Sequence, residues 1–186
     1  IASRWAELMD VTARRAEERR RTVIAAAPFN EPDYSTHQGT MQAFYDVASA
    51  LAQKPRFNNV RITGGNTLSA DAATPWYNFL KGRLHEGNTH QLNGSFASYA
   101  GFFETVVANG HRAVNYELHN VMEAIVGVEY GMQTGIWWGT AERARGEFVK
   151  TSDGQRLAYA EHRPNWTAAA VYRGPDGRVQ AFAGAS

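Results

Sequence analysis

Two glutamates in this chain each close a short run of residues of the kind that fills buried strands. Glu31 ends "TVIAAAPFNE" beside Asn30, and Glu117 ends "HRAVNYE" beside Tyr116. Three further runs end on Asn66, on His90 and on the pair Trp137 and Trp138. Two carboxyl groups flanking one bond are what glycosidic hydrolysis requires: one protonates the leaving oxygen, and the other attacks the anomeric carbon or activates water. An indole beside them offers a flat apolar face to a sugar ring. Asn30 is placed to hydrogen-bond a ring hydroxyl as positive charge develops at the neighbouring carbon.

Residues so far apart in sequence meet only if the chain positions them on a common rim. Helical spacing of Trp5, Leu8, Met9, Ala13 and Ala16 predicts an amphipathic helix that runs into the first apolar strand at 22–30. The alternation continues with a helix in 36–55, a strand at 58–66 stopped by a Gly-Gly turn, and a helix in 69–84 capped by Ser69 or Asp71. A weak strand at 86–92, a helix in 95–110, a strand at 111–117, a helix in 120–131 and a strand at 132–139 complete it. Strands regularly separated by helices imply right-handed crossovers and a parallel sheet, either open and doubly wound or closed as part of a barrel. In such sheets the loops after the strands converge on one face, where the chemistry is assembled. From about residue 141 the pattern changes to a polar stretch and two alternating runs around Gly-Pro-Asp-Gly, a hairpin signal. The expected division is residues 1–140 as barrel, and 141–186 as its end or the start of an accessory β domain.

The 186 residues, 44% of them hydrophobic, suffice for a packed core but fall below the roughly 250 typical of a complete eight-stranded α/β barrel. Nineteen basic against 18 acidic side chains give a net charge of +1, which argues for neither a nucleic-acid nor a membrane partner. With no cysteine, thiolate metal sites and disulfides are excluded. No bound metal and no cofactor are expected. The chain starts without methionine and reads as the portion of a longer polypeptide, the remainder being an expected partner alongside a carbohydrate substrate.

"FNEP" at a strand end, a second glutamate at the end of the strand three units later and a Trp-bearing strand after that resemble the retaining glycoside hydrolases of clan A. The resemblance covers residues 20–140 and implies a (β/α)8 TIM barrel of which this chain supplies strands 4 to 8. It implies Glu31 as acid/base, Glu117 as nucleophile, and an aromatic sugar platform on the last strand. It also implies polysaccharide degradation, of the agarase or porphyranase kind, by a secreted or periplasmic enzyme. Strands 1 to 3 of that clan have no counterpart here.

Other readings stand beside these. Glu31 could be an acid at a helix N-terminus with Pro32 in the first turn. Glu123 competes with Glu117 as nucleophile, but helical phase turns it from the rim. Adjacent strand residues face opposite ways, so only one of Trp137 and Trp138 can face inward; Trp138 is favoured, the other packing beneath a helix. His90 reads equally as a sugar contact or a structural histidine, Asn66 as a sugar contact or part of a tight turn, and Tyr116 as packing. "HEGNTH" has the wrong histidine spacing for a zinc helix, and "GGN" lacks the rest of a phosphate loop. The alternative function is a noncatalytic carbohydrate-binding protein on the same scaffold.

Overall fold

The computed structural model describes the whole chain, Ile1–Ser186. Helix α1 (Ala2–Glu18) leads into β1 (Ala25–Ala26), α2 (Met41–Leu51), β2 (Arg61–Ser69), α3 (Ala70–Leu80), β3 (Glu86–Asn93), α4 (Phe96–Ala108), β4 (Arg112–Leu118), α5 (Val121–Glu129) and β5 (Thr134–Trp137). The five strands pair in parallel, in chain order. A doubly wound sheet reverses its strand order at a switch point. This one never reverses, so right-handed crossovers put successive helices on the same side and the sheet curls into a half-barrel.

Local chemistry marks where each helix starts. Thr40, Ser69, Ser95 and Asn120 cap α2, α3, α4 and α5 through side-chain oxygens that accept a backbone N–H of the first turn, each cap worth about 1 kcal/mol. Ser69, not Asp71, caps α3. Along β3 the side chains alternate: Gly87 backs directly onto Val106 and Tyr77 of the flanking helices, so Glu86, Asn88 and His90 face into the half-barrel. These three are buried. A polar interior is why this strand reads weakly as a hydrophobic run.

The Gly-Gly pair does not stop the second strand: β2 continues through Gly64 and Gly65 to Ser69. The glycines serve close packing, since a Cβ on Gly65 would sit 2.8 Å from Trp76 Cβ and one on Gly64 would overlap the Phe44 ring. The first strand is also shorter than the apolar run suggests. Only two residues of β1 join the ladder, because the strand lies at an edge with a single neighbour. At both edges apolar side chains stay open, Ile24 at 59% and Ile136 at 52% exposure. Trp5 and Leu8 of α1 remain half-exposed over a cleft of about 350 Å³ against β1.

Beyond β5 come α6 (Ala144–Ser152), β6 (Gln155–His162), β7 (Thr167–Arg173) and β8 (Val179–Ala185), the strands forming an antiparallel sheet in the order β6-β7-β8. The Gly-Pro-Asp-Gly hairpin is present as the β7–β8 turn, with Gly177 at φ +83°. The sheet packs on α5, where Gly184 lies against Met122, and Trp166 meets Phe96 of α4.

Candidate active site

The residues after β1 do not start a helix; residues 31–39 form turns and α2 begins ten residues after Glu31. The helix-terminus reading of Glu31 therefore fails. Its backbone lies in the left-handed region at φ +47°, which costs a non-glycine residue about 1–2 kcal/mol. Neighbouring contacts hold it there. Glu31 N donates to Asn66 O at 2.9 Å and Tyr34 N donates to Glu31 O at 3.0 Å. Asp33, which sequence reasoning passed over, accepts from the backbone of Leu68 and Ser69 at 2.7 and 2.9 Å. It ties the turn to the end of β2.

Two bulges aim the remaining groups. On β2, Gly65 pairs with Asn88 and Thr67 with Thr89, so Asn66 is an extra residue, at φ +57°. Its amide donates to Phe29 O at 2.8 Å and Asn30 Oδ1 at 3.0 Å, and its Oδ1 accepts from Asn88 Nδ2 and stands 3.0 Å from His90 Nε2. That engages the whole amide within the protein. On β4, the step from Asn115–Gly135 to Leu118–Trp137 sets three residues against two. The bulge brings both Tyr116 and Glu117 to the inner face, which simple alternation forbids. Tyr116 donates its hydroxyl to Glu86 Oε2 at 2.7 Å, and Glu117 Oε2 approaches His90 Nδ1 at 3.6 Å.

Glu31, His90 and Glu117 thereby meet. His90 Nδ1 is 2.9 Å from Glu31 Oε1, and one polar atom from each of the three lies within 4.8 Å of the others. His90 is 1% exposed, while the two carboxylates keep 15% and 16% of their side-chain surface. This is the one group of three side chains of metal-ligating type in the chain. Its shortest contact, His90 Nδ1 to Glu31 Oε1, is of hydrogen-bond length. Asn30 is exposed beside it, its Oδ1 accepting from Asn66 Nδ2.

Glu123 lies apart from the rim. Its oxygens accept from His119 N at 3.0 Å and Asn120 Nδ2 at 2.7 Å, and its own N–H donates to Asn120 Oδ1, a capping box at the start of α5. Burial pushes its carboxyl up to about 7; the His119 amide and Arg145 oppose the rise, and Glu117 adds to it. Between the two glutamates sits His119, 3.5 Å from Glu117 Oε1 and 3.7 Å from Glu123 Oε2, its Nδ1 without a partner.

Beneath the site, at the amino ends of the strands, Glu86 is fully buried. It receives hydrogen bonds from Arg61, from Thr63 at 2.6 Å and from Tyr116. Burial alone would raise its carboxyl, but these bonds and the Arg61 charge hold it below the usual range. Burial and the Glu86 bond push the Tyr116 hydroxyl up to about 12, so it remains a donor.

The tryptophans divide. Trp137 lines a cleft of about 410 Å³ with Leu118 and Phe148 beneath α6, under the Arg145 guanidinium at 5.3 Å. Trp138 is 65% exposed. Arg145, unforeseen from sequence, braces this corner by donating to the carbonyls of Trp138 at 2.9 Å and of His119. The clefts at Trp137, against α1 and along the β6–β8 sheet are not lined by the paired glutamates.

Fold and site together define a parallel α/β half-barrel with two carboxylates converging at its strand ends. No protein-family model matches the chain, and no curated protein matches it. Among solved structures it is similar to a GH30 endoxylanase from Clostridium papyrosolvens C71, with a TM-score of 0.68 at 14% identity, over 94% of this chain and 53% of that one. The likeness is one of fold, and the chain spans about half the length of that enzyme.

Proposed function

We propose that the protein is a retaining glycoside hydrolase, with Glu31 as acid/base and Glu117 as nucleophile. The observation that carries this reading is the convergence of the two side chains on His90, with one oxygen of each carboxylate within 4.8 Å of the other. Retaining enzymes hold their carboxyl groups roughly 5 to 5.5 Å apart, whereas inverting ones leave roughly 6.5 to 9.5 Å for a water. Glu31 protonates the departing glycosidic oxygen as a Glu117 oxygen bonds to the anomeric carbon. Glu31 then takes a proton from the water that releases the sugar. Asn30 binds a hydroxyl of the sugar beside the scissile bond, and Trp138 is the apolar platform. The endoxylanase fold supports the glycosidase class and a polysaccharide substrate; it lends nothing to an agarase or porphyranase type. We also propose that further polypeptide closes the open edges at β1 and β5 and completes the sugar site.

The test is hydrolysis of a panel of xylan, agarose and porphyran by the wild-type protein and by Glu31→Gln, with the anomer of the first product followed by NMR. Retention of configuration, and loss of turnover in the variant, are expected. A first product of inverted configuration would refute the assignment of Glu117 as nucleophile.

A further inference from the structure

The hydrogen bonds around His90 determine where its proton sits. Phe29 O can only accept, so the Asn66 atom 2.8 Å from it is the amide nitrogen. Likewise Tyr116 N can only donate, at 3.2 Å, so the Asn88 atom facing it is the oxygen and the Asn88 nitrogen faces Asn66. Both amides are thus oriented by backbone groups that have no choice of role. Asn66 Oδ1 is therefore an acceptor, and His90 Nε2, 3.0 Å away, must carry hydrogen. That leaves Nδ1 facing Glu31 Oε1 at 2.9 Å and Glu117 Oε2 at 3.6 Å. A bare nitrogen lone pair against a carboxylate oxygen at that distance is repulsive, so one proton occupies the contact.

We infer that His90 is the proton partner of Glu31: a single proton lies between His90 Nδ1 and Glu31 Oε1, with Nε2 donating to Asn66 Oδ1. The charged or titratable groups facing His90 are Glu31 and Glu117, with His119 behind Glu117 at 3.5 Å. Asn66, first a candidate sugar contact, is the residue that fixes the tautomer. His90 itself, with 1% of its side chain exposed, is a positioning residue that does not touch the sugar.

The proton's place stands on hydrogen bonds alone, while its use in catalysis rests on the glycosidase reading. In the first step the O–H bond at Glu31 breaks as the proton passes to the leaving oxygen, the glycosidic C–O bond breaks, and a C–O bond to Glu117 forms. Nδ1 is then left without its proton partner. In the second step Glu31 removes a proton from water, the hydroxide oxygen displaces Glu117, and the Nδ1···Oε1 contact is refilled.

Nitrogen-15 NMR of histidine-labelled protein tests the placement without any assay of activity. His90 is expected to carry hydrogen on Nε2; a neutral His90 carrying its hydrogen on Nδ1 would overturn the inference. The catalytic consequence is read with His90→Gln, which can still donate to Asn66 but cannot hold a proton at the Glu31 contact. On aryl glycosides that the wild type hydrolyses, the variant should lose about 100-fold on a phenyl leaving group and less than about 5-fold on dinitrophenyl, which departs without an acid. Equal losses on both would reduce His90 to a structural role and overturn its link to the acid. Absence of turnover in the wild type would instead defeat the glycosidase reading, with the NMR result still deciding the position of the proton.

Discussion

Replacing Glu123 with Gln isolates the carboxyl that burial holds up to about 7 against an ordinary 4.5. A difference of about 2.5 between folded and unfolded values corresponds to about 3 kcal/mol at 1.36 kcal/mol per pH unit. The sign follows from proton counting: between the two values the folded protein binds the proton and the unfolded chain does not. The stabilisation is therefore complete below about pH 4.5 and is lost as pH rises through about 7. Glutamine stays neutral and lacks this dependence. It also replaces one accepting oxygen with an amino group that faces either His119 N–H or the Asn120 amide, both donors to Glu123. That loss costs about 1 kcal/mol. The variant should therefore be less stable than wild type by about 1 kcal/mol near pH 4 and more stable by about 2 kcal/mol near pH 8. Urea unfolding of both proteins across that range measures the difference. A difference that does not change with pH would refute the buried-carboxyl reasoning.

Two further outcomes follow from the same contacts. Glu117→Gly should abolish turnover and regain it with azide as a glycosyl azide of the opposite anomer, measured by NMR; no rescue in a folded variant would remove Glu117 from the nucleophile's role. Gly87→Ala sets a methyl group against Val106 and Tyr77 and should destabilise by about 1–3 kcal/mol, read in thermal melts; an unchanged melting temperature would show that α4 is not seated on β3 as described.

The five strands and their helices were legible because apolar runs and helix caps such as Ser95 and Asn120 are local signals. Periodicity alone left an open sheet and a curled one both possible, since it does not encode strand order; the half-barrel was read from the resemblance carried by "FNEP", the second glutamate and the Trp-bearing strand. Alternation led to Glu117 but failed at Tyr116, because a bulge that gathers both residues on one face leaves no mark in sequence. Asn66 and His90 were visible as polar strand ends, yet their mutual bond depends on the register of β2 with β3. Both α6 and β6 escaped notice: α6 buries only Phe148 and Thr151, and β6 is mostly exposed, so neither carries a strong apolar stripe. Arg145 was hidden for a different reason. Its role exists only where α6 folds back over the end of β5.

The side chains at 31 and 117 are proposed to act as a pair on one glycosidic bond. Trapping the intermediate with a 2-deoxy-2-fluoro glycoside that bears a dinitrophenyl group, followed by peptide mass spectrometry, tests it most directly. A single sugar ester on Glu117, formed in wild type and in Glu31→Gln alike, is predicted. A label on Glu123 or on any other carboxylate, or steady hydrolysis with no label formed, would contradict it.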